Sequence, residues 1–407
     1  MMQVSSMTYI RLLSLCFFLA GCQTLPKPPQ QVVDYPISFE AAVTAVTHQL
    51  LGTLAKQQAG NQLIIVLDPF VDANSGDVLE ISRSIEEDMI AEGKKYYPSY
   101  ILDRLTPALL RRAQYVLNGT INLRDYQLST ESATDKYYQL SASLVDLKTG
   151  VVIAHAMSWI ADADLNYVRT PLYRNSPTFF KDKRVQSQIE TAETHEGKSA
   201  DDEYYSSLDT NALLVEAETA YENTNYTKAH YLFQKAAARS DGQVMKTYLG
   251  LYETTRKTEK ENVANQEAAF TKLLALSIQE TNSLNIRFLF EVNSIEFINN
   301  NSIRQQYAEW LRMISRFLQK NSYCFQVVGH SSKTGKADYN LKLSVERAEH
   351  VRQLLAVELP SLATQSKAIG KGFSENLVGS GTDDAQDAID RRVELSIVNC
   401  QDFKVTP

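Results

Sequence analysis

Basic charge is scarce in this sequence. Its 41 Lys and Arg stand against 48 Asp and Glu, a net charge of −7, which argues against nucleic acid as a partner, since that wants a basic face. It also has no apolar run of the roughly 20 residues a helix needs to cross a bilayer. Cysteine is rare, with four in 407 residues, and no paired CxxC occurs. The six histidines, His48, His155, His195, His230, His330 and His350, are scattered, and no two share the spacing of metal ligands. No Walker loop, GxSxG or HExxH motif is present. These absences point away from an enzyme and away from any metal or cofactor. What is present is an apolar fraction of 44 %, ordinary for a folded chain, and a length that suits two or three domains.

The first residues carry a targeting signal. Arg11 precedes a short apolar run, Leu12 to Leu19, which is too short to span a membrane and reads as a cleaved segment, residues 1–21. Leu19-Ala20-Gly21-Cys22 resembles the bacterial lipobox. The resemblance implies a diacylglycerol and a palmitate-type acyl chain on Cys22 after cleavage. Gln23, where Asp would retain the protein elsewhere, resembles the pattern sorted to the outer membrane. Several acyl chains, at about 0.8 kcal/mol per buried CH2, would hold the chain to that membrane facing the periplasm. Cys16 leaves with the signal, so Cys324 and Cys400 remain as an even pair in an oxidising compartment. They form either a disulfide or two buried thiols. They would meet if the strand opened by Cys324 and the strand ended by Cys400 are antiparallel neighbours.

Five segments follow the signal. Residues 22–38 are rich in Pro and Gln and read as an extended tether. Residues 39–165 read as an α/β unit. Helical spacing runs from Phe39 to Lys56, and Leu63 to Leu67 is a continuous apolar run typical of a strand buried on both faces. Val78 to Ala91 and Tyr100 to Arg112 read as helices. Tyr115 to Ile121, Tyr137 to Asp146 and Val151 to Ile160 read as strands, the last two joined by the turn Leu147 to Gly150. This hairpin and the strand before it resemble small periplasmic domains of the TolB N-terminal and curli-secretion lipoprotein type. Residues 166–207 lose periodicity and read as a linker. Residues 208–281 turn helical, and Tyr226, Ala229, Phe233 and Ala236 resemble half of a tetratricopeptide repeat. Flexible joints are expected between the folded parts.

Residues 284–403 carry the most specific pattern. Gly329-His330-Ser331-Ser332-Lys333-Thr334-Gly335 runs on to Asn340, Leu343-Ser344 and Arg347-Ala348, and Asp390-Arg391-Arg392-Val393-Glu394 opens a last strand. This resembles the OmpA-like peptidoglycan-binding domain, whose pattern is GHTDxxGxxxxNxxLSxxRA followed by NRRVE. The resemblance implies a βαβαββ fold, so the whole is a multidomain α/β protein. It also implies a site for the diaminopimelate of peptidoglycan, built from Ser332, Asn340, Arg347, Arg391 and Arg392. An Arg suits such a ligand because its planar guanidinium meets a carboxylate with two parallel bonds. Two letters depart from the pattern. Ser332 stands where the family has Asp, which removes an anion for the ligand ammonium, and Asp390 stands for Asn. Asp338, Asp383 and Asp384 are carboxylates that could replace the missing charge. Alternatively, Arg347 simply pairs with a carboxylate such as Asp390.

The expected function is an outer-membrane lipoprotein that binds peptidoglycan non-covalently and links membrane to wall. The alternative is a scaffold subunit of an envelope-spanning secretion or motility machine. In that case the α/β and helical regions bind envelope proteins, and the last domain only fixes position.

Overall fold

A computed structural model describes residues 34–58, 60–127, 135–174, 176–178, 181–284, 288–298, 300–321, 323–377, 381 and 387–403. Cys22, most of the expected tether, Asp383 and Asp384 lie outside the described residues.

The first unit is a three-layer sandwich. Its elements are α1 (Phe39–Gln57), β1 (Leu63–Leu67), β2 (Val71–Asp72), α2 (Glu80–Tyr96), β3 (Tyr100–Arg104), α3 (Pro107–Leu110), β4 (Tyr115–Tyr126), β5 (Asp135–Asp146) and β6 (Val152–Ile160). The strand order is β3-β1-β4-β5-β6, with β2 beside β4. β1 pairs in parallel with β3 and β4, whereas β4, β5 and β6 form an antiparallel meander. The apolar run of β1 is buried on both faces: Leu63, Ile65 and Leu67 face the core under α1 and α2, and Val66 joins a second core with Val116 and Val145. Tyr100 to Arg104 is a strand and not the start of a helix. Its burial alternates, the pattern of an edge strand, and Thr106-Pro107 then stops it and caps α3.

Residues 166–207, read from sequence as a linker, hold three helices: α4 (Pro171–Arg174), α5 (Lys183–Ala192) and α6 (Asp202–Ser206). Polar residues obscured their periodicity because polar residues are what they bury. The Gln188 carbonyl accepts from Asn118 Nδ2 on β4, and Ser143 Oγ on β5 donates to the Thr191 carbonyl at 2.8 Å. The segment thus covers the second face of the sheet.

Four antiparallel helices follow: α7 (Leu208–Glu222), α8 (Tyr226–Ala237), α9 (Met245–Thr258) and α10 (Val263–Thr281). Ala229, Phe233 and Ala236 are buried, and Phe233 packs where Gly250 of α9 has no side chain. The array is joined to both neighbours. One core combines Val71 and Val78 of the first unit with Tyr173, Ile189, Leu214, Phe233 and Leu273. A buried ion cluster lies on the same seam. Arg83 of α2 bonds Glu86 at 3.0 Å and Glu222 of α7 at 2.7 Å, and Arg104 bonds Glu86 at 2.8 Å. Removing one member of such a cluster typically costs about 3–5 kcal/mol.

The last unit consists of β7 (Ser283–Leu284), α11 (Asn301–Asn321), β8 (Cys324–Gly329), α12 (Ala337–Glu358), α13 (Leu362–Gln365), β9 (Ser366–Gly370) and β10 (Val393–Val398). The strand order β7-β10-β8-β9 has only the β8–β9 pair parallel, which is the βαβαββ arrangement. α10 ends at Asn282 in the left-handed region and passes directly into β7. No flexible joint separates them. Tyr252, Phe270 and Leu274 of the helical array share a core with Trp310, Ile314 and Phe317 of α11, and Trp310 Nε1 donates to Tyr252 Oη at 2.9 Å. Val398 faces Cys324 across β10 and β8, and Cys324 and Cys400 are joined by a disulfide with their Cα atoms 5.1 Å apart.

Candidate functional site

The loops around the start of α12 converge on one region. β8 ends at Gly329, where a Cβ would lie 1.9 Å from the Ser344 carbonyl, so only glycine lets α12 cross so closely. The chain then runs through His330, Ser331 and Ser332, all buried, and turns at Gly335 with φ of 97°. Asn340 Nδ2 donates to the Thr334 carbonyl at 2.8 Å and the Lys336 carbonyl at 3.3 Å, which fixes this turn. Ser344 Oγ accepts from the Gly372 amide at 2.9 Å, and the Ser331 amide donates to the Gly372 carbonyl at 2.9 Å. The His330 amide donates to the Arg392 carbonyl at 2.9 Å. Loops after β8 and β9 and before β10 are therefore stitched together by their main chains.

The five candidate residues lie in this last domain, and none is more than 6 % exposed. Arg347, 1 % exposed, donates from Nε to the Ser294 carbonyl and from Nη2 to the Glu291 carbonyl, each at 3.0 Å. Its guanidinium carbon also lies 5.1 Å from the centre of the Phe290 ring. These bonds hold a turn at residues 291–297, where Asn293 has φ of 55° and Phe290 bridges to Phe297. Residues 290–297 thus fold back as a turn and do not continue as an extended strand. Arg392 bonds Glu394 through Nε and the Glu375 carbonyl through Nη2 at 3.1 Å. Asp390 accepts the Leu377 amide at 2.6 Å. Arg391 and Ser332 are buried beside these loops.

The helical apolar spacing of Leu341, Val345, Ala348, Val351 and Leu355 does not define the buried face of α12. Leu341 and Val345 are exposed, and the buried face of the first half is Asn340, Leu343, Ser344, Arg347 and Ala348. Polar side chains occupy the core face there because they hold the loops. His330 is a packing residue. Burial first, then Arg392 and Lys371, push its pKa down to about 3, so the imidazole stays neutral and does not add a charge to the site. Lys333, Lys336, Asp338 and Tyr339 are among the residues open to solvent at the same place, and Asp338 was singled out in the sequence as a carboxylate. Position within the motif was the signal for the others: they fill its variable letters.

Residues 290–389 match the OmpA family. The OmpA-like domain is therefore the C-terminal unit just described, and the match ends before β10. Among solved structures, the peptidoglycan-associated lipoprotein from Burkholderia pseudomallei is 26 % identical over 27 % of this chain and 88 % of its own, with a TM-score of 0.23. The cell wall anchor of the T6SS from Pseudomonas aeruginosa is 27 % identical over 27 % of this chain and 73 % of its own, with a TM-score of 0.22. An outer membrane protein from Borrelia burgdorferi is 22 % identical over 29 % of this chain and 88 % of its own, with a TM-score of 0.22. No curated protein matches the chain. Among the described residues no His, Cys, Asp and Glu side chains are grouped as for a metal ion, and no helix is long and apolar enough to cross a membrane.

Proposed function

We propose that this protein is an outer-membrane lipoprotein whose OmpA-like domain binds peptidoglycan non-covalently and so links the membrane to the wall. The observation that carries the reading is the family match at residues 290–389, on a domain whose motif loops converge around the start of α12. The sequence Leu19-Ala20-Gly21-Cys22 supports a lipid on Cys22. In this reading Ser332, Asn340, Arg347, Arg391 and Arg392 form the walls of the site. Lys333 and Lys336 meet carboxylates of the stem peptide as it arrives, and Tyr339 offers a flat face to a sugar ring. Ser332 can accept one hydrogen bond from the ligand ammonium but brings no charge. Charge-assisted bonds are roughly twice as strong as neutral ones, so binding is weaker than a carboxylate there would give.

The second reading, a scaffold subunit of an envelope machine, is favoured by one specific observation. The helical array shares a hydrophobic core with the α/β unit on one side and with the OmpA-like domain on the other. A simple strut needs only a length of chain. This arrangement instead holds the α/β unit at a set place relative to the wall, as a platform for protein partners would require.

Co-sedimentation of the full chain with purified sacculi tests the first reading. The protein should pellet, and excess soluble stem peptide containing diaminopimelate should release it. Protein that stays in the supernatant at low ionic strength refutes wall binding and leaves the scaffold reading.

A further inference from the structure

A cavity of about 280 Å³ lies where the first turn of α5 meets the loop between α8 and α9 and the end of α10. It draws on both the segment that covers the sheet and the helical array. Asp182 caps α5, its Oδ1 accepting from the Val185 amide at 2.9 Å. Arg184, in the same turn, is 8 % exposed. Its Nη2 donates to the Asp241 carbonyl and lies 3.7 Å from Glu203. Its Nε and Nη1 are buried and have no hydrogen-bond partner among the described residues. Glu280, on the last turn of α10, lines the same cavity, and its Oε2 is likewise buried without a partner. Buried polar atoms in folded proteins are nearly always hydrogen-bonded, so two guanidinium nitrogens and one carboxylate oxygen left unsatisfied beside one cavity point to a further partner there.

The chemistry of the lining selects the occupant. Arg184 offers donors to an anion, and Glu280 offers an acceptor to a cation. Burial raises the Asp182 carboxyl, while the Val185 amide, Lys246 and Arg184 act to lower it, so Asp182 is already matched with protein groups and leaves Glu280 as the acceptor for a ligand. Met245 and Leu276, both buried, add apolar surface. The volume suits a small molecule and not a polymer. We propose that this cavity binds a free amino acid, with the ligand carboxylate on Arg184 and its ammonium on Glu280. Because α5 lies on the sheet and α10 continues into β7, an occupant would bridge the two ends of the molecule through a single site.

Thermal unfolding of the full chain with each of the twenty amino acids at millimolar concentration is the test. A ligand that binds only the folded state raises the midpoint. At least one amino acid should raise it by several degrees, and its amide and its N-acetyl form, each lacking one charge, should not. Glu280→Gln and Arg184→Lys should each weaken binding at least tenfold, the loss expected when a charge-assisted bond is removed or misplaced. Should Arg184→Lys fold poorly, Glu280→Gln on the half-buried α10 turn carries the test alone. The proposal is overturned if none of the twenty shifts the midpoint, if the amide and N-acetyl forms act as well as the parent, or if Glu280→Gln responds like the wild type.

Discussion

Replacing Arg347 by Ala separates two roles for the most conspicuous residue of the motif. In the structure its guanidinium is buried and gives two hydrogen bonds, each 3.0 Å long, to the carbonyls of Ser294 and Glu291. A hydrogen bond from a charged group contributes about 1.5–3 kcal/mol net, and truncation also leaves two carbonyls without that donor. The contact with the Phe290 ring adds up to about 1 kcal/mol. The loss should therefore be about 4 kcal/mol. At roughly 2–4 °C per kcal/mol for the cooperative unit that it forms with the helical array, that unit should melt about 10 °C lower. Calorimetry of the full chain reads this directly, and Arg347→Lys should recover part of it. If Arg347→Ala melts like the wild type, the turn at 291–297 does not depend on the arginine. Loss of sacculus binding without loss of stability would then place the guanidinium on the ligand.

Four further outcomes are expected. Without reductant, neither Cys324 nor Cys400 should react with an alkylating agent. Replacing both by Ser should destabilise the last domain by up to about 4.5 kcal/mol, from the sequence separation of 76 residues in the chain-entropy model. Two reactive thiols in unreduced protein would contradict the bond. Trp310→Ala removes a buried ring and its bond to Tyr252, so it should cost about 3–5 kcal/mol and let the OmpA-like domain melt separately from the helical array; one unchanged transition would contradict the shared core. Burial pushes Glu253 and Asp68 each up to about 7. Acids raised on folding hold protons more tightly in the folded state. Their stabilising effect is full below the unfolded values and is lost as pH rises to about 7, so the full chain should gain stability when pH falls from 8 to 5.5, by up to about 1.4 kcal/mol per unit per group. A stability that falls over that interval contradicts the assignment. Metabolic labelling with a fatty acid should mark the wild type and not Cys22→Ala, and a labelled variant would remove Cys22 as the lipid site.

Parts of this molecule follow the elementary patterns, and there the sequence was legible. β1 is a continuous apolar run buried on both faces, and α11 carries the stripe Tyr307, Trp310, Leu311, Ile314, Phe317 and Leu318, all buried. The motif from Gly329 to Arg347 located the loop cluster because its glycines and Asn340 have local geometric duties that need those residue types. Legibility failed where polar side chains do core work. α5 reads as linker because Ser187, Gln188 and Thr191 are among the residues it buries. On α12 helical apolar spacing points to Leu341 and Val345 as core, whereas Asn340, Ser344 and Arg347 occupy the buried face to bind main-chain groups of the surrounding loops. Periodicity of apolar residues carries no signal for such contacts. The edge strand Tyr100–Arg104 was missed for a related reason: five alternating residues next to a Pro-capped turn are too short to outweigh the helical residues that follow. The cavity beside Arg184 left no trace in sequence, since Arg184 and Glu280 come from segments nearly a hundred positions apart.

The central claim is that the OmpA-like domain holds the diaminopimelate end of the stem peptide at the loops around Ser332. The most direct measurement is the dissociation constant of the full chain for a soluble stem peptide, by titration calorimetry, in the wild type and in Ser332→Asp. The account predicts measurable, weak binding by the wild type and binding about tenfold tighter in the variant, the gain from one charge-assisted bond to the ligand ammonium. No heat of binding from either protein would contradict it.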